Sequence, residues 1–182
     1  MHISLDGFVA GPNGEMDWIA INDEIFTHVE MRIGKSNAAM YGRVTYEMME
    51  AYWPTAADKP NATRHDIAHS KWYAGAHRFV LSTTLQESAN TTIISGNIKK
   101  KIQEIKSTKG PELLLFGSPT ATHALMELGE IDGYWLFVNP LVLGKGIPLF
   151  VGNTERQQLQ LLSTRAFQCG VTELNYLVEG NT

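Results

Sequence analysis

Three short apolar runs in this chain stop at glycine or hydroxyl residues, and the side chains at those stops are the ones able to do chemistry. Asn37-Ala-Ala-Met-Tyr41 runs into Gly42-Arg43-Val44-Thr45, Arg78-Phe-Val-Leu81 into Ser82-Thr83-Thr84, and Glu112-Leu-Leu-Leu-Phe116 into Gly117-Ser118-Pro119-Thr120. Ligands of an open α/β sheet bind in the crevice outside the carboxyl ends of its strands. Glycine lets the backbone approach a ligand closely, and a helix N-terminus offers unpaired N–H groups and partial positive charge to an anion. Arg43 adds a cationic fork suited to phosphate, and Thr45, Ser82 and Thr83 add hydroxyls. Pro119 in a first helical turn needs no N–H partner, which leaves the next amides free to face an anion. Any one of these junctions alone reads equally as a plain strand–helix turn. Three of one kind, at neighbouring strand ends, predict a phosphorylated cofactor.

The cofactor type follows from what is missing. No G-x-G-x-x-G opens a helix after the first strand, and no acid stands about 20 positions further on to hold a ribose hydroxyl. An arginine with hydroxyls in place of that acid favours a 2′-phosphate, hence NADPH over NADH. The proton-donor candidates are Asp6, Asp17, Asp23 and Glu24. Each has a structural alternative: Asp6 as an Asx-turn residue before Gly7, Asp17 as a loop carboxylate, Asp23 and Glu24 as acids favoured in a first helical turn. Trp18 either lines a substrate pocket or anchors its loop. His65 and His69 share an i, i+4 spacing, but no third metal ligand accompanies them and a surface helix face is the expectation.

The elements that must position these residues alternate between strand and helix. Strands are predicted at 1–5, 37–41, 78–82, 91–95, 112–116 and 133–139. Helices are predicted at 22–33, where Ile25, Val29 and Ile33 recur every four residues, at 44–50, 62–74, from about 97, and at 119–128. Trp53 to Pro60 reads as a loop. Residues 158–167 and 171–178 read as an antiparallel hairpin around Cys169-Gly170. The fold class is therefore α/β, three layers with a mixed, mostly parallel sheet flanked by helices and closed by that hairpin.

Size and composition agree. The 182 residues suit a single domain, 1–182, and the 43% apolar and 19% charged content is that of a globular chain. A formal charge of −4 argues against a nucleic-acid partner. The one lysine run, Lys99 to Lys101, lies beside Ile98, Ile102 and Ile105 and reads as the solvated face of an amphipathic helix. The lone Cys169 excludes an intrachain disulfide and reads as a structural thiol. With no signal peptide and no run of ~20 apolar residues, the expectation is a soluble, cytoplasmic protein with no membrane partner.

The ordered motifs resemble a known family. Ser4-Leu-Asp-Gly-Phe-Val-Ala10, Gly11-Pro-Asn-Gly14, Asp17-Trp18, Tyr41-Gly-Arg-Val-Thr-Tyr-Glu47, Tyr52-Trp-Pro54, Leu115-Phe-Gly-Ser118 and Asn139 to Phe150 are similar to the dihydrofolate reductase-like superfamily. The branch is that of the reductase domain of the riboflavin-pathway deaminase–reductase. The resemblance implies NADPH as hydride donor, a small heterocyclic or carbonyl substrate, and a homodimer, for which Leu141 to Phe150 offers an apolar contact. By position it assigns Gly42, Arg43 and Thr45 to the cofactor's phosphates and Ser82 and Thr83 to the 2′-phosphate. Phe116 and Gly117 to Thr120 would cradle the diphosphate, and Val9 and Ala10 would lie beside the nicotinamide. Asp6, Asp17 and Asp23 are the candidates for catalysis, and Trp18, Glu24 and Phe26 for substrate.

Two departures qualify the match. Only Met1-His2-Ile3 precede Ser4, so the first strand is short or the start is clipped. Phe26 stands at the wrong offset from Asp23 or Glu24 for a folate site, so dihydrofolate is not the expected substrate. The zinc-deaminase signature is absent. The competing class is a non-catalytic, dimeric NADP-binding module with a regulatory or interaction role.

Overall fold

Apolar runs become strands and amphipathic runs become helices in the order the sequence predicts, with two short strands, Phe8–Ala10 and Ile147–Pro148, that it does not predict. The computed structural model describes residues 1–108, 110–151 and 156–180. The first half contains β1 (His2–Ser4), β2 (Phe8–Ala10), α1 (Asp23–Ile33), β3 (Ala38–Gly42), α2 (Arg43–Ala56), α3 (Arg64–Gly75), β4 (His77–Leu81) and β5 (Thr91–Ile94). The second contains α4 (Ile98–Ser107), β6 (Leu114–Leu115), α5 (Pro119–Glu127), β7 (Gly133–Asn139), β8 (Ile147–Pro148), β9 (Leu159–Ala166) and β10 (Thr172–Val178). These elements pack into two compact units, one of Met1–Asn22 with Pro119–Thr182, the other of Asp23–Ser118.

The Asp23–Ser118 unit holds a four-stranded parallel sheet in the order β5-β4-β3-β6. Its central strand, Ala-Ala-Met-Tyr, is buried on both faces, as a parallel sheet covered by helices requires. α4 turns Ile102 inward and leaves Lys99 and Lys100 exposed, as the spacing predicts. β6 is only two residues long where five are predicted, because pairing with β3 covers just Ala39↔Leu114 and Met40↔Leu115.

Two expectations for the helices need correction. α2 does not stop near Glu50 but runs through Trp53 and Pro54 to Ala56. Proline forgoes one intrahelical bond, and here it does so in the last turn. Tertiary contacts hold that turn. The Trp53 ring lies 3.9 Å from His69, and its carbonyl accepts the Ser70 hydroxyl at 2.8 Å. The histidines of α3 are likewise not a plain surface face. His65 stacks on Phe26 of α1 at 3.7 Å, with Nδ1 2.8 Å from the Glu30 carboxylate. His69 is buried among Trp53, Trp72 and His65, and its Nδ1 has no hydrogen-bond partner. Burial holds this imidazole neutral, its pKa lowered to about 4.

The other unit contains a four-stranded sheet, β1-β7-β10-β9, and a short antiparallel ribbon of β2 with β8. β1 runs parallel to β7, and the β9–β10 pair is the predicted antiparallel hairpin, with Gly170 at φ 87° in its turn beside the half-buried free Cys169. Ile3, Val9, Met126, Tyr134, Leu136, Leu149 and Val178 form its core. Among the described residues no helix is long and apolar enough to cross a membrane, and no cluster of metal-ligating side chains occurs.

Candidate cofactor crevice

Three parallel strands deliver the predicted residues to one end of the Asp23–Ser118 sheet. β3 lies between β4 and β6, and Gly42 faces Leu81, so Ser82 follows at the adjoining strand end. From β3 the chain moves outward to β4 and β5, then returns to the opposite side of β3 as β6. The carboxyl ends of β3 and β6 therefore flank the place where strand order reverses, which is where open α/β sheets bind ligands.

The local geometry keeps that crevice open and donor-rich. The Gly42 N–H donates to Ser118 Oγ at 2.8 Å, and that hydroxyl donates to the Phe116 carbonyl at 3.2 Å. Gly117 and Ser118 are both left-handed, at φ 53° and 59°. Serine rarely adopts this conformation, and such backbone strain clusters at ligand sites. A Cβ on Gly117 would lie 3.4 Å from Thr45 Cγ2, so glycine leaves free the space before the first turn of α2. α2 begins at Gly42 with no side-chain cap and no acid in its first turn, whereas α3 carries a full Thr63–Asp66 capping box. The start of α2 thus keeps its unpaired amides and partial positive charge for an external anion. This arrangement fits a phosphate group.

The remaining cradle residues surround it unequally. Arg43 is half-exposed, and its Nη1 donates to both oxygens of Glu47 at 3.0 and 2.8 Å. Ser82 Oγ accepts from the amides of Thr84 and Leu85 at 3.2 and 3.1 Å, a turn that leaves Thr83 exposed. Phe116 stacks on Tyr41 at 5.6 Å as part of the packed wall. Pro119 and Thr120 open α5 and belong to the other unit.

Asp6, a sequence candidate for proton donation, is instead a backbone anchor. Its carboxylate accepts the Ser4 hydroxyl at 2.7 Å and the amides of Leu143 and Gly144 at 3.0 and 2.8 Å. The Ser4 bond foremost, then those amides, pull its pKa down to about 2. At neutral pH it has no proton to give. The turn role weighed for Asp6 comes nearer, except that the amides it binds lie in a distant segment. Leu5 N–H to Leu141 O and Leu149 N–H to Gly7 O, both 2.8 Å, complete the fastening of that segment to the β1–β2 turn.

The loop after β2 is organised by a residue the sequence reading passed over. Glu15 accepts the Asn13 amide and side chain at 2.9 and 2.7 Å, and its carbonyl accepts the Gly11 N–H at 2.9 Å and the Trp18 indole at 3.1 Å. Trp18 therefore anchors the loop, and Asp17 stands exposed beside it. Asn139, wholly buried, accepts the Ala20 N–H at 2.9 Å and donates to the carbonyls of Ile3 and Phe137 at 3.2 and 3.1 Å. Its signal in the sequence is its place at the head of the Asn139–Phe150 motif, which carries no role for it. Val9 packs in the core, and the Ala10 carbonyl lies so close to Gly146 that a Cβ there would overlap it. Asp23 and Glu24 occupy the first turn of α1, the former exposed and the latter half-buried, while Phe26 is committed to His65.

A parallel sheet with its switch point between Gly42 and Gly117, and an uncapped helix opening on it, place the molecule among α/β proteins that bind ligands outside the carboxyl ends of their strands. The chain belongs to the RibD C-terminal domain family, whose model matches residues 1–172. It is 31% identical over 178 residues to the uncharacterized protein YyaP of Bacillus subtilis (strain 168), covering 96% of this chain and 90% of that protein. Among solved structures it is similar to a Shewanella sp. PV-4 protein provisionally named for riboflavin biosynthesis. That match has 21% identity, a TM-score of 0.73, and covers 98% of this chain and 96% of the other. It is also similar to a Thermotoga maritima diaminohydroxyphosphoribosylaminopyrimidine deaminase/5-amino-6-(5-phosphoribosylamino)uracil reductase, at 13% identity and a TM-score of 0.63, over 97% of this chain and 54% of that one. The family and the dihydrofolate reductase-like fold are those the sequence motifs resemble.

Proposed function

We propose that the protein is an NADPH-dependent oxidoreductase that reduces a small heterocyclic or carbonyl substrate, of the pterin or aminouracil-ribityl type. The observation that carries this reading is the switch-point crevice, where Gly42, Gly117 and the uncapped start of α2 converge beside Arg43. NADPH, when bound, supplies the hydride. The chain's own part is to hold phosphate with the first-turn amides of α2, the Arg43 guanidinium and the hydroxyl of Thr45, while Ser118, donating to the Phe116 carbonyl, fixes the Gly42 amide. Ser82 and Thr83, at the next strand end, suit the 2′-phosphate. Asp17 remains the exposed carboxyl of the β2 loop and is the candidate for supplying a proton.

Saturable NADPH binding, followed by nicotinamide fluorescence and by a rise in thermal midpoint, is the expected result. Absence of saturation removes the proposal. Oxidation of bound NADPH by a panel of pterins, aminouracils, nitro compounds and ketones then separates an enzyme from the NADP-binding module. The engagement of Asp6 in the backbone is what keeps that second reading in view.

The homodimer belongs to the same proposal. β9 lies at the outer position of its sheet and exposes Leu161 and Leu162, and such strand edges are normally covered. A particle of two chains is expected by light scattering, and a Leu161→Lys, Leu162→Lys variant is expected to run as one chain. A monomeric parent protein would contradict it.

A further inference from the structure

We propose that Glu47 is a built-in stand-in for the cofactor's phosphate: it holds Arg43 in the absence of ligand and is displaced when phosphate binds. This inference rests on the cofactor reading above. Arg43 is the first residue of α2, next to the positive end of the helix dipole, with no acid in that turn and no side-chain cap. A cation there is disfavoured by the helix field. The order of the pair is also the weaker one, since an acid one turn before a base suits the dipole better than the reverse. Helix stability therefore gives no reason for an arginine at position 43. A phosphate in front of that helix end does, because it would neutralise the guanidinium and the dipole together.

In this structure Arg43 pairs with the Glu47 carboxylate, four residues on. Arg43 Nη1 bonds both of its oxygens, at 3.0 and 2.8 Å, and both side chains are 46% exposed. That contact is intrahelical and solvent-washed, so it is weak enough to exchange. It occupies one nitrogen of the guanidinium fork and keeps the side chain from wandering. The consequence is a trade. Glu47 lowers affinity by competing for Arg43, and it speeds release by taking Arg43 back as phosphate leaves.

Glu47→Gln keeps length and removes charge. It is expected to tighten NADPH binding about two- to fivefold, the fold-change matching a half-exposed ion pair, and to slow NADPH dissociation in stopped-flow fluorescence. Arg43→Ala is expected to weaken binding, and in the Arg43→Ala background Glu47→Gln should change nothing. Thermal midpoints without ligand confirm that each variant is folded. Tightening seen with NADPH and NADH alike assigns the exchanged contact to the diphosphate; tightening with NADPH alone assigns it to the 2′-phosphate, and either supports the exchange. If Arg43→Ala weakens binding but Glu47→Gln leaves it unchanged, or acts equally in both backgrounds, the stand-in role is overturned while the cofactor reading survives. If Arg43→Ala binds NADPH as the parent does, the placement of Arg43 in the cradle is overturned with it.

Discussion

Between pH 6.5 and pH 4 the protein is expected to lose stability steeply, through half-buried His2 and buried His69. His2 stacks on Phe137 at 5.0 Å, with Nδ1 3.3 Å from the Asn139 side-chain nitrogen. Burial, with a smaller push from the N-terminal amine, lowers its pKa from 6.5 to about 3. His69 lies among Trp53, Trp72 and His65, and burial foremost, then the His65 charge, lowers it to about 4. In each case the folded state favours the neutral ring. The unfolded chain binds protons below pH 6.5 and the folded chain does not, so stability is whole above 6.5 and drains away as pH falls toward the folded values. The linkage amounts to about 2 kcal/mol for each histidine by pH 5, an order-of-magnitude figure.

Asp6 does not contribute in that window. Its pKa is depressed rather than raised, so its stabilising contribution is lost only as pH falls from 3.8 to about 2. His69→Phe keeps an aromatic ring in the stack and removes the titrating group. Urea midpoints at pH 7 and pH 5, read by tryptophan fluorescence, should show a smaller pH dependence in this variant than in the parent. An equal dependence would assign the acid sensitivity elsewhere.

The same histidines show where the sequence stops being informative. Helical spacing put His65 and His69 on one face of α3, and that much holds. What covers the face is Phe26 from α1 and Trp53 from α2, which depends on packing rather than on local pattern. Pro54 misleads for a related reason: its local rule predicts a break, and the contacts of Trp53 override it. β2 and β8, at three and two residues, are too short to carry a period, and their register, Phe8↔Pro148, joins segments far apart in the chain. Asp6 is open to a proton-donor reading in the sequence because the amides of Leu143 and Gly144 that bind it lie 137 and 138 residues away. The crevice, by contrast, was legible. Strand ends are written locally, as an apolar run halted by glycine or hydroxyl, and a parallel sheet necessarily brings such ends to one side. The left-handed Ser118 could not be read, because its hydroxyl also takes the amide of Gly42, 76 residues away in the chain.

Gly117→Val is expected to weaken the proposed NADPH binding by at least about tenfold while leaving a folded protein. Position 117 has φ 53°, where a β-branched side chain is strained by roughly 1–2 kcal/mol, a cost a folded domain of this size tolerates. The Cβ itself meets only ordinary contact, 3.4 and 3.6 Å from Thr45 Cγ2 and Oγ1. The added methyl groups extend beyond that Cβ. On the cofactor reading they project beside the first turn of α2, where phosphate would lie. Loss of close approach to those amides removes charge-assisted bonds worth about 1.5–3 kcal/mol each, so NADPH affinity should fall by at least about tenfold. Gly117→Ala separates the two effects, since it carries the backbone strain with little bulk and should lose less affinity for a similar drop in thermal midpoint. If Gly117→Val binds NADPH as tightly as the parent, phosphate does not lie against this glycine, and the crevice between β3 and β6 is not where the cofactor is held.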